Sequence, residues 1–210
     1  MRYTDIVFDV DGTLVDSEWA ILASLQKTLE EIGREVPPVE ELTFVLGITG
    51  QDALKQMGIQ DVKGTFELWV EKLGQLSREQ KPFAAIPDLL KDLKKEGISL
   101  GIVTSRTRTE FEEAFAGYGL RDFFGVTVCS EDTREHKPSG EPLQEYMKRR
   151  NVSPEQVLYV GDSKYDSGCA RNAGADFALA VWGAKSGEEI PARYKPGNPR
   201  ELYLLLMDNK

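Results

Sequence analysis

Asp9 and Asp11 stand two apart in the stretch Asp9-Val10-Asp11-Gly12-Thr13-Leu14-Val15-Asp16-Ser17, directly after the apolar run Ile6-Val7-Phe8. A short apolar run closed by turn residues predicts a buried strand. Side chains alternate along a strand, so the two acids leave the backbone on one side, Val10 faces the other way, and Gly12 turns the chain. Neighbouring carboxylates raise each other's energy, so folding gains nothing from the pair unless a cation lies between them or one keeps its proton. A phosphoryl-transfer site can use both. One carboxylate attacks phosphorus to form an aspartyl-phosphate, splitting a hard displacement into two easier ones. The second, kept protonated by its neighbour, protonates the leaving oxygen and later takes a proton from water. Asp9 suits the first role and Asp11 the second. An ordinary strand-to-turn signal explains Asp11-Gly12 but not Asp9.

Other residues extend this chemistry. Thr104 and Ser105 follow an apolar run and offer hydroxyls and backbone amides at the expected start of a helix, where anions are favoured. Taken by themselves, the two residues are better explained by helix capping alone. Lys137, in the irregular loop Glu135-His136-Lys137-Pro138-Ser139-Gly140, can present a point charge to a phosphoryl oxygen. Asp162 and Asp166 fall four apart across a strand end and the first turn of the next helix, where an acidic N-terminal turn is the plain alternative. Arg106 either reaches the leaving group or is a surface arginine. Gly12, Ser105 and Arg106 join Thr104 and Lys137 as candidate phosphate or substrate contacts. Four acids meeting in one pocket need a counter-charge, and a hard divalent ion such as magnesium supplies it.

The elements that must position these residues read as two kinds of segment. From Glu18 to Ile32 a helix carries Leu22, Leu25, Leu29 and Ile32 on one face, and Gly33 stops it. After Pro37-Pro38, further helices are expected over Val39–Val45, Gly50–Met57 and Asp61–Leu76, with no strand between Ser17 and Lys81. From Pro82 onward helix and strand alternate. Helices are expected over Pro87–Glu96, Thr107–Tyr118, Glu141–Arg150 and Tyr165–Ala173. Strands are expected over Ile98–Val103, Gly125–Cys129, Val157–Val160 and Phe177–Val181. Such alternation predicts an α/β fold with a Rossmann-like parallel sheet between helical layers. The expected organisation is a catalytic core of residues 1–16 and 82–210, interrupted by an inserted α-helical cap domain over 17–81. Ligands of such sheets bind at the carboxyl ends of the strands, where Asp9, Thr104-Ser105 and Asp162 all fall.

A net charge of -9 over 210 residues argues against a nucleic-acid partner, and no basic run opposes that. No apolar run approaches the ~20 residues of a membrane span, and no basic start with an apolar segment opens the chain, so the expectation is a cytoplasmic protein. Cys129 and Cys169 are expected as buried thiols. His136 is the only histidine, which leaves the usual zinc ligand set incomplete. Oligomeric state is not legible.

Taken in order, these motifs resemble those of the haloacid dehalogenase-like hydrolases, in the branch with a helical cap after the first strand that includes phosphoglycolate phosphatases, pyrophosphatases and beta-phosphoglucomutases. Asp9 to Ser17 resembles the first motif, Ile102-Val-Thr-Ser105 the second, Lys137-Pro138 the third and Gly161-Asp-Ser-Lys-Tyr-Asp166 the fourth. Ala170-Arg-Asn-Ala-Gly174 and Val181-Trp-Gly183 look like the usual continuation. The resemblance covers nearly the whole chain, most weakly in the cap. It implies Asp9 as nucleophile, Asp11 as acid and base, and Thr104 and Lys137 on the transferring phosphoryl group. It further implies magnesium held by Asp9, the Asp11 carbonyl and Asp162, with Asp166 in support. An acid two residues after the nucleophile separates phosphorus chemistry from the dehalogenases. Gly140 departs from relatives that carry a second proline in the third-motif loop. The expected function is a magnesium-dependent phosphatase of small phosphate esters. A phosphomutase, a pyrophosphatase and a non-catalytic binding module are the alternatives. Specificity is expected in the cap, from the loops around Gly47-Ile-Thr-Gly50 or Arg34-Glu-Val-Pro37.

Overall fold

The computed structural model describes residues 2–115, 117–185 and 189–208. Its first half runs β1 (Asp5–Phe8), β2 (Val15–Asp16), α1 (Glu18–Glu31), α2 (Val39–Leu42), α3 (Gly50–Gln56), α4 (Val62–Gln75) and β3 (Lys81–Pro82). The second half runs α5 (Ile86–Lys95), β4 (Ser99–Val103), α6 (Arg108–Phe115), β5 (Val126–Val128), α7 (Glu141–Arg150), β6 (Val157–Gly161), α8 (Lys164–Ala173), β7 (Asp176–Leu179) and α9 (Pro199–Asp208).

Five strands form one sheet in the order β5-β4-β1-β6-β7, with every pairing parallel. Strand β1 is buried at all four positions because alternate residues enter different cores. Ile6 and Phe8 pack with Ile86, Leu89 and Leu93 of α5 and Leu202 of α9, whereas Val7 packs with Leu143 and Tyr146 of α7 and Cys169 of α8. Both faces are therefore covered, which is what a parallel sheet requires. The chain builds outward from β1 to β4 and β5 on one side, then to β6 and β7 on the other. That reversal opens a crevice at the carboxyl end of β1.

Helices α1 to α4 enclose an apolar cluster of their own. Leu22, Leu25 and Leu29 meet Leu42, Leu54 and Trp69 there, and Trp69 Nε1 donates to Ser24 Oγ at 2.9 Å. The chain leaves for these helices and returns through an antiparallel ribbon in which Val15 faces Pro82 and Asp16 faces Lys81.

Several expectations are corrected. The two-residue strands of the ribbon are too short to leave a periodic signal. Val39–Val45 is not one α-helix, because it tightens into a 3₁₀ turn at Thr43–Val45, where Thr43 Oγ1 donates to the Glu40 carbonyl. The helix expected from Thr107 starts at Arg108 and is described to Phe115, and residue 116 lies outside the described residues. Ile32 is exposed at the end of α1 and takes no part in its apolar face. Helix α9 was not expected, although its Leu202 and Leu206 close the core beside α5. Both cysteines are buried and free. No described helix is long and apolar enough to cross a membrane.

Candidate active site

Asp9 is the first residue beyond β1. Its amide donates to the Val160 carbonyl at 2.9 Å, so the ladder to β6 holds the backbone while the side chain turns into the crevice, 3% exposed. Lys137 Nζ donates to Asp9 Oδ1 at 2.7 Å and to Asp166 Oδ1 at 2.8 Å. Asp166, fully buried on α8, also accepts from Tyr159 Oη at 3.0 Å and from the Ser163 hydroxyl and amide at 2.5 and 3.1 Å. Both of its oxygens are thus engaged by protein donors. Ser163 caps α8 and Asp166 lies in its first turn, so of the two acids only Asp166 belongs to an acidic N-terminal turn. Asp162 accepts from Thr13 Oγ1 at 3.2 Å and lies so close to Gly12 that any Cβ there would collide with its carboxylate. Gly12 also has a φ of +73°, so glycine is doubly required.

One oxygen from each of Asp9, Asp162 and Asp166 lies within 4.8 Å of the others. Burial pushes Asp9 up to about 7, with Asp166 and Asp11 adding to the rise and Lys137 opposing it. Asp162 is raised too, by burial and then by the charges of Asp166 and Asp9. Burial would lower Lys137, but the attraction of Asp166 and Asp9 outweighs it and raises the amine. Three carboxylates against one ammonium leave negative charge uncompensated. A hard oxygen-seeking divalent ion such as magnesium fits this donor set, in which Asp166 is fixed by Ser163, Tyr159 and Lys137.

Asp11 does not join the cluster. Arg106 grips it with Nε on Oδ2 at 2.8 Å and Nη2 on Oδ1 at 2.6 Å, and Ser17 Oγ donates to Oδ1 at 2.5 Å. Burial would raise this carboxyl, but Arg106 and then Ser17 outweigh burial and hold it below the ordinary range. Arg106 is 7% exposed and also donates to Gln80 Oε1 at 2.9 Å, which corrects the reading of a surface arginine. In this arrangement its fork serves Asp11 rather than a substrate.

Thr104 and Ser105 stand at the carboxyl end of β4 but not at a helix start. The Thr104 amide donates to the Val128 carbonyl at 3.0 Å, and Thr104 Oγ1 accepts from the Arg106 amide at 3.2 Å. Thr107 and Glu110 instead cap α6, with the Thr107 amide on Glu110 Oε2 at 2.8 Å. Ser105 Oγ reaches the Gly47 carbonyl at 3.0 Å, tying the core to the helical segment. His136 Nδ1 donates to Asp52 Oδ2 at 2.9 Å, a second tie. Between the two bodies lies a cavity of about 60 Å³ that Asp9, Asp11, Gly47, Ile48 and Arg106 help to line. Arg34 to Pro37 line a different groove. Gly140 is explained by packing, since a Cβ there would come within 2.6 Å of the Asn172 backbone on α8.

Sequence reasoning missed Ser17, Gln80, Tyr159 and Ser163. Only Ser163 carried a usable signal, the Ser-x-x-Asp spacing of a capping box that ends at Asp166.

A family profile described as haloacid dehalogenase-like hydrolase matches residues 6–180. The phosphoglycolate phosphatase of Aquifex aeolicus is 32% identical over 210 residues, covering 97% of this chain and 96% of its own. The pyrophosphatase PpaX of Bacillus cereus is 29% identical over 197 residues, covering 93% and 91%. A solved Lactobacillus plantarum protein, provisionally named a phosphoglycolate phosphatase, superposes with a TM-score of 0.88 at 27% identity, covering 98% of this chain and all of its own.

Proposed function

The chain belongs to the haloacid dehalogenase-like hydrolases and is a phosphatase of that family, and from this premise we propose that it hydrolyses small phosphate monoesters through an aspartyl-phosphate on Asp9, with magnesium. The observation that carries this reading is the meeting of Asp9, Asp162 and Asp166 around Lys137 at the carboxyl ends of β1 and β6. Residues 17–81 act as the lid over that site, and 1–16 with 82–210 form the catalytic body.

The roles follow from the contacts. Lys137 occupies Asp9 Oδ1, so Oδ2 is the oxygen left to attack phosphorus. The same ammonium lies beside the transferring phosphoryl group and offsets its charge, with Thr104, the Ser105 backbone amide and the Gly12 turn as the remaining phosphoryl contacts. Asp9 and Asp162 would hold the magnesium ion, joined by the Asp11 carbonyl, and Asp166 would orient them. When bound, the ion neutralises the carboxylate cluster and draws charge from the phosphoryl oxygens. Freed from Arg106 and Ser17, which hold it ionised, Asp11 takes up a proton from solvent as burial raises its carboxyl, gives that proton to the leaving oxygen, and then takes one from the water that releases phosphate. Burial of the whole site under the lid keeps other water out.

The test is release of inorganic phosphate with magnesium from small phosphate esters, with Asp9→Asn beside the unaltered chain. The substitution is expected to abolish turnover and leave the far-ultraviolet circular dichroism unchanged. Retained turnover would overturn the assignment.

A further inference from the structure

The lid side of the cavity carries no charge and no free polar side chain. Every residue that the helical segment contributes to its wall is apolar or glycine, among them Ile21, Ile48, Phe66, Trp69, Val70 and Leu73. The one polar atom among these six side chains, Trp69 Nε1, is spent on Ser24 Oγ at 2.9 Å. On the core side, Ser105 Oγ is spent on the Gly47 carbonyl. Arg106 is the only cation on the wall among the described residues, and Asp11 and Glu110 stand on the same wall. Arg106 is held by Asp11 and by Gln80, keeps Gln80 when Asp11 departs, and shares its wall with Glu110.

A second anionic group on the substrate would have to enter this space. A carboxylate or phosphate laid against the lid wall meets no charged or free polar side chain there, so it loses hydration on that side without a partner, while the one wall cation, Arg106, is already engaged. A polyhydroxylated leaving group meets the same problem at every hydroxyl. An alkyl leaving group loses nothing and gains by burial. The cavity holds about 60 Å³. A single water needs ~10–15 Å³ of such space, so only a small leaving group of a few water-sized groups fits.

We infer that the leaving group of the natural substrate is small, uncharged and largely apolar, and that this enzyme discriminates against phosphoglycolate and pyrophosphate, the substrates named for its relatives. The inference rests on the proposed phosphatase reading and specifies its substrate class.

Isobutyl phosphate and 2-phosphoglycolate test it directly. Their leaving groups have the same number of heavy atoms and the same branching, so they differ in charge and not in size. Glycolate is the less basic leaving group, so intrinsic reactivity favours phosphoglycolate and any opposite preference belongs to the protein. With magnesium, kcat/KM is expected to be about tenfold or more higher for isobutyl phosphate than for 2-phosphoglycolate or pyrophosphate. Ile48→Lys, which places an ammonium on the lid wall, is expected to shift the isobutyl-to-glycolate ratio about tenfold toward glycolate. Should that variant not fold, the ratio in the unaltered chain decides alone.

A ratio of one or below, with turnover lost in Asp9→Asn, overturns the inference and leaves the phosphatase reading standing. Absence of Asp9-dependent release from every ester, the activated p-nitrophenyl phosphate included, overturns the phosphatase reading and the inference with it.

Discussion

Arg106 spends Nε and one terminal nitrogen on Asp11 and bridges from there to Gln80 with 7% of its surface in solvent. Removing one partner of a buried pair leaves the other charge to be solvated by what remains. For Arg106→Met the survivor, Asp11, keeps Ser17 as a donor and about a fifth of its side chain in contact with water. The expected loss is therefore about 3 kcal/mol, the low end for such breakage. Urea unfolding measures it, and a change within about 0.5 kcal/mol would mean that the pair contributes nothing net. Arg106→Lys keeps the charge but not the two-pronged fork, so it is expected to fall between the two. At the nucleophile, Lys137→Met is expected to lower kcat by about 10²–10³, the usual effect of losing one charge-stabilising donor. A steady-state assay at saturating magnesium reads it. Asp9, Lys137, Asp162 and Asp166 were legible from the sequence because each is an ionisable residue at a strand end, in a loop beside one, or, for Asp166, in the first turn of the helix that follows. The Arg106–Asp11 grip was not, because the two residues lie 95 positions apart and only the folded sheet brings them together.

At the level of elements, the alternation from Pro82 onward was readable because each helix and strand repeats a short hydrophobic pattern that tertiary contacts then reinforce. The ribbon of β2 and β3 and the start of α6 were not, since they depend on pairing and on the Thr107–Glu110 cap rather than on periodicity. The clasp between α3 and the Lys137 loop was equally hidden, because it joins Asp52 to His136 across the lid and core. Its acid member has a definite pH signature. Burial would raise Asp52, but hydrogen bonds from Thr49, His136 and Lys55 outweigh it and hold the carboxyl at about 2. An unfolded aspartate titrates near ~3.9. The folded value is the lower one, so the stabilisation is complete above the unfolded value and is lost as pH falls from there through about 2. Between those limits the unaltered chain is expected to lose stability with acid more steeply than Asp52→Asn. Urea midpoints measured across that window check this, and parallel slopes would show that the clasp carries no linkage.

Over the whole molecule, the three apolar clusters divide the work unequally. Two of them flank the sheet, while the third belongs to α1–α4 alone. The carboxylate cluster draws all its members from the sheet body, in Asp9, Asp162 and Asp166, so binding energy at the metal enters that body directly. A net charge of -9 adds a diffuse attraction for any divalent cation, which high monovalent salt screens. The site-specific part should survive such salt. An ion that binds the folded state alone stabilises it by about 2.7 kcal/mol at a hundredfold excess over Kd. For a chain of this size that corresponds to a rise in Tm of about 5–10 °C. Magnesium is therefore expected to raise Tm by that amount in ~0.5 M potassium chloride, where the Debye length is only a few ångströms. Asp162→Asn is expected to remove most of the rise, because it takes a carboxylate from the cluster while Asp166 and Lys137 keep their own contacts. Amide hydrogen exchange should place the gained protection in β1, β6 and the first turn of α8, and leave the interiors of α1 and α4 nearly unchanged. A rise spread evenly over both bodies, or one that Asp162→Asn leaves intact, would mean that the ion acts through surface charge rather than through the cluster beside Asp9.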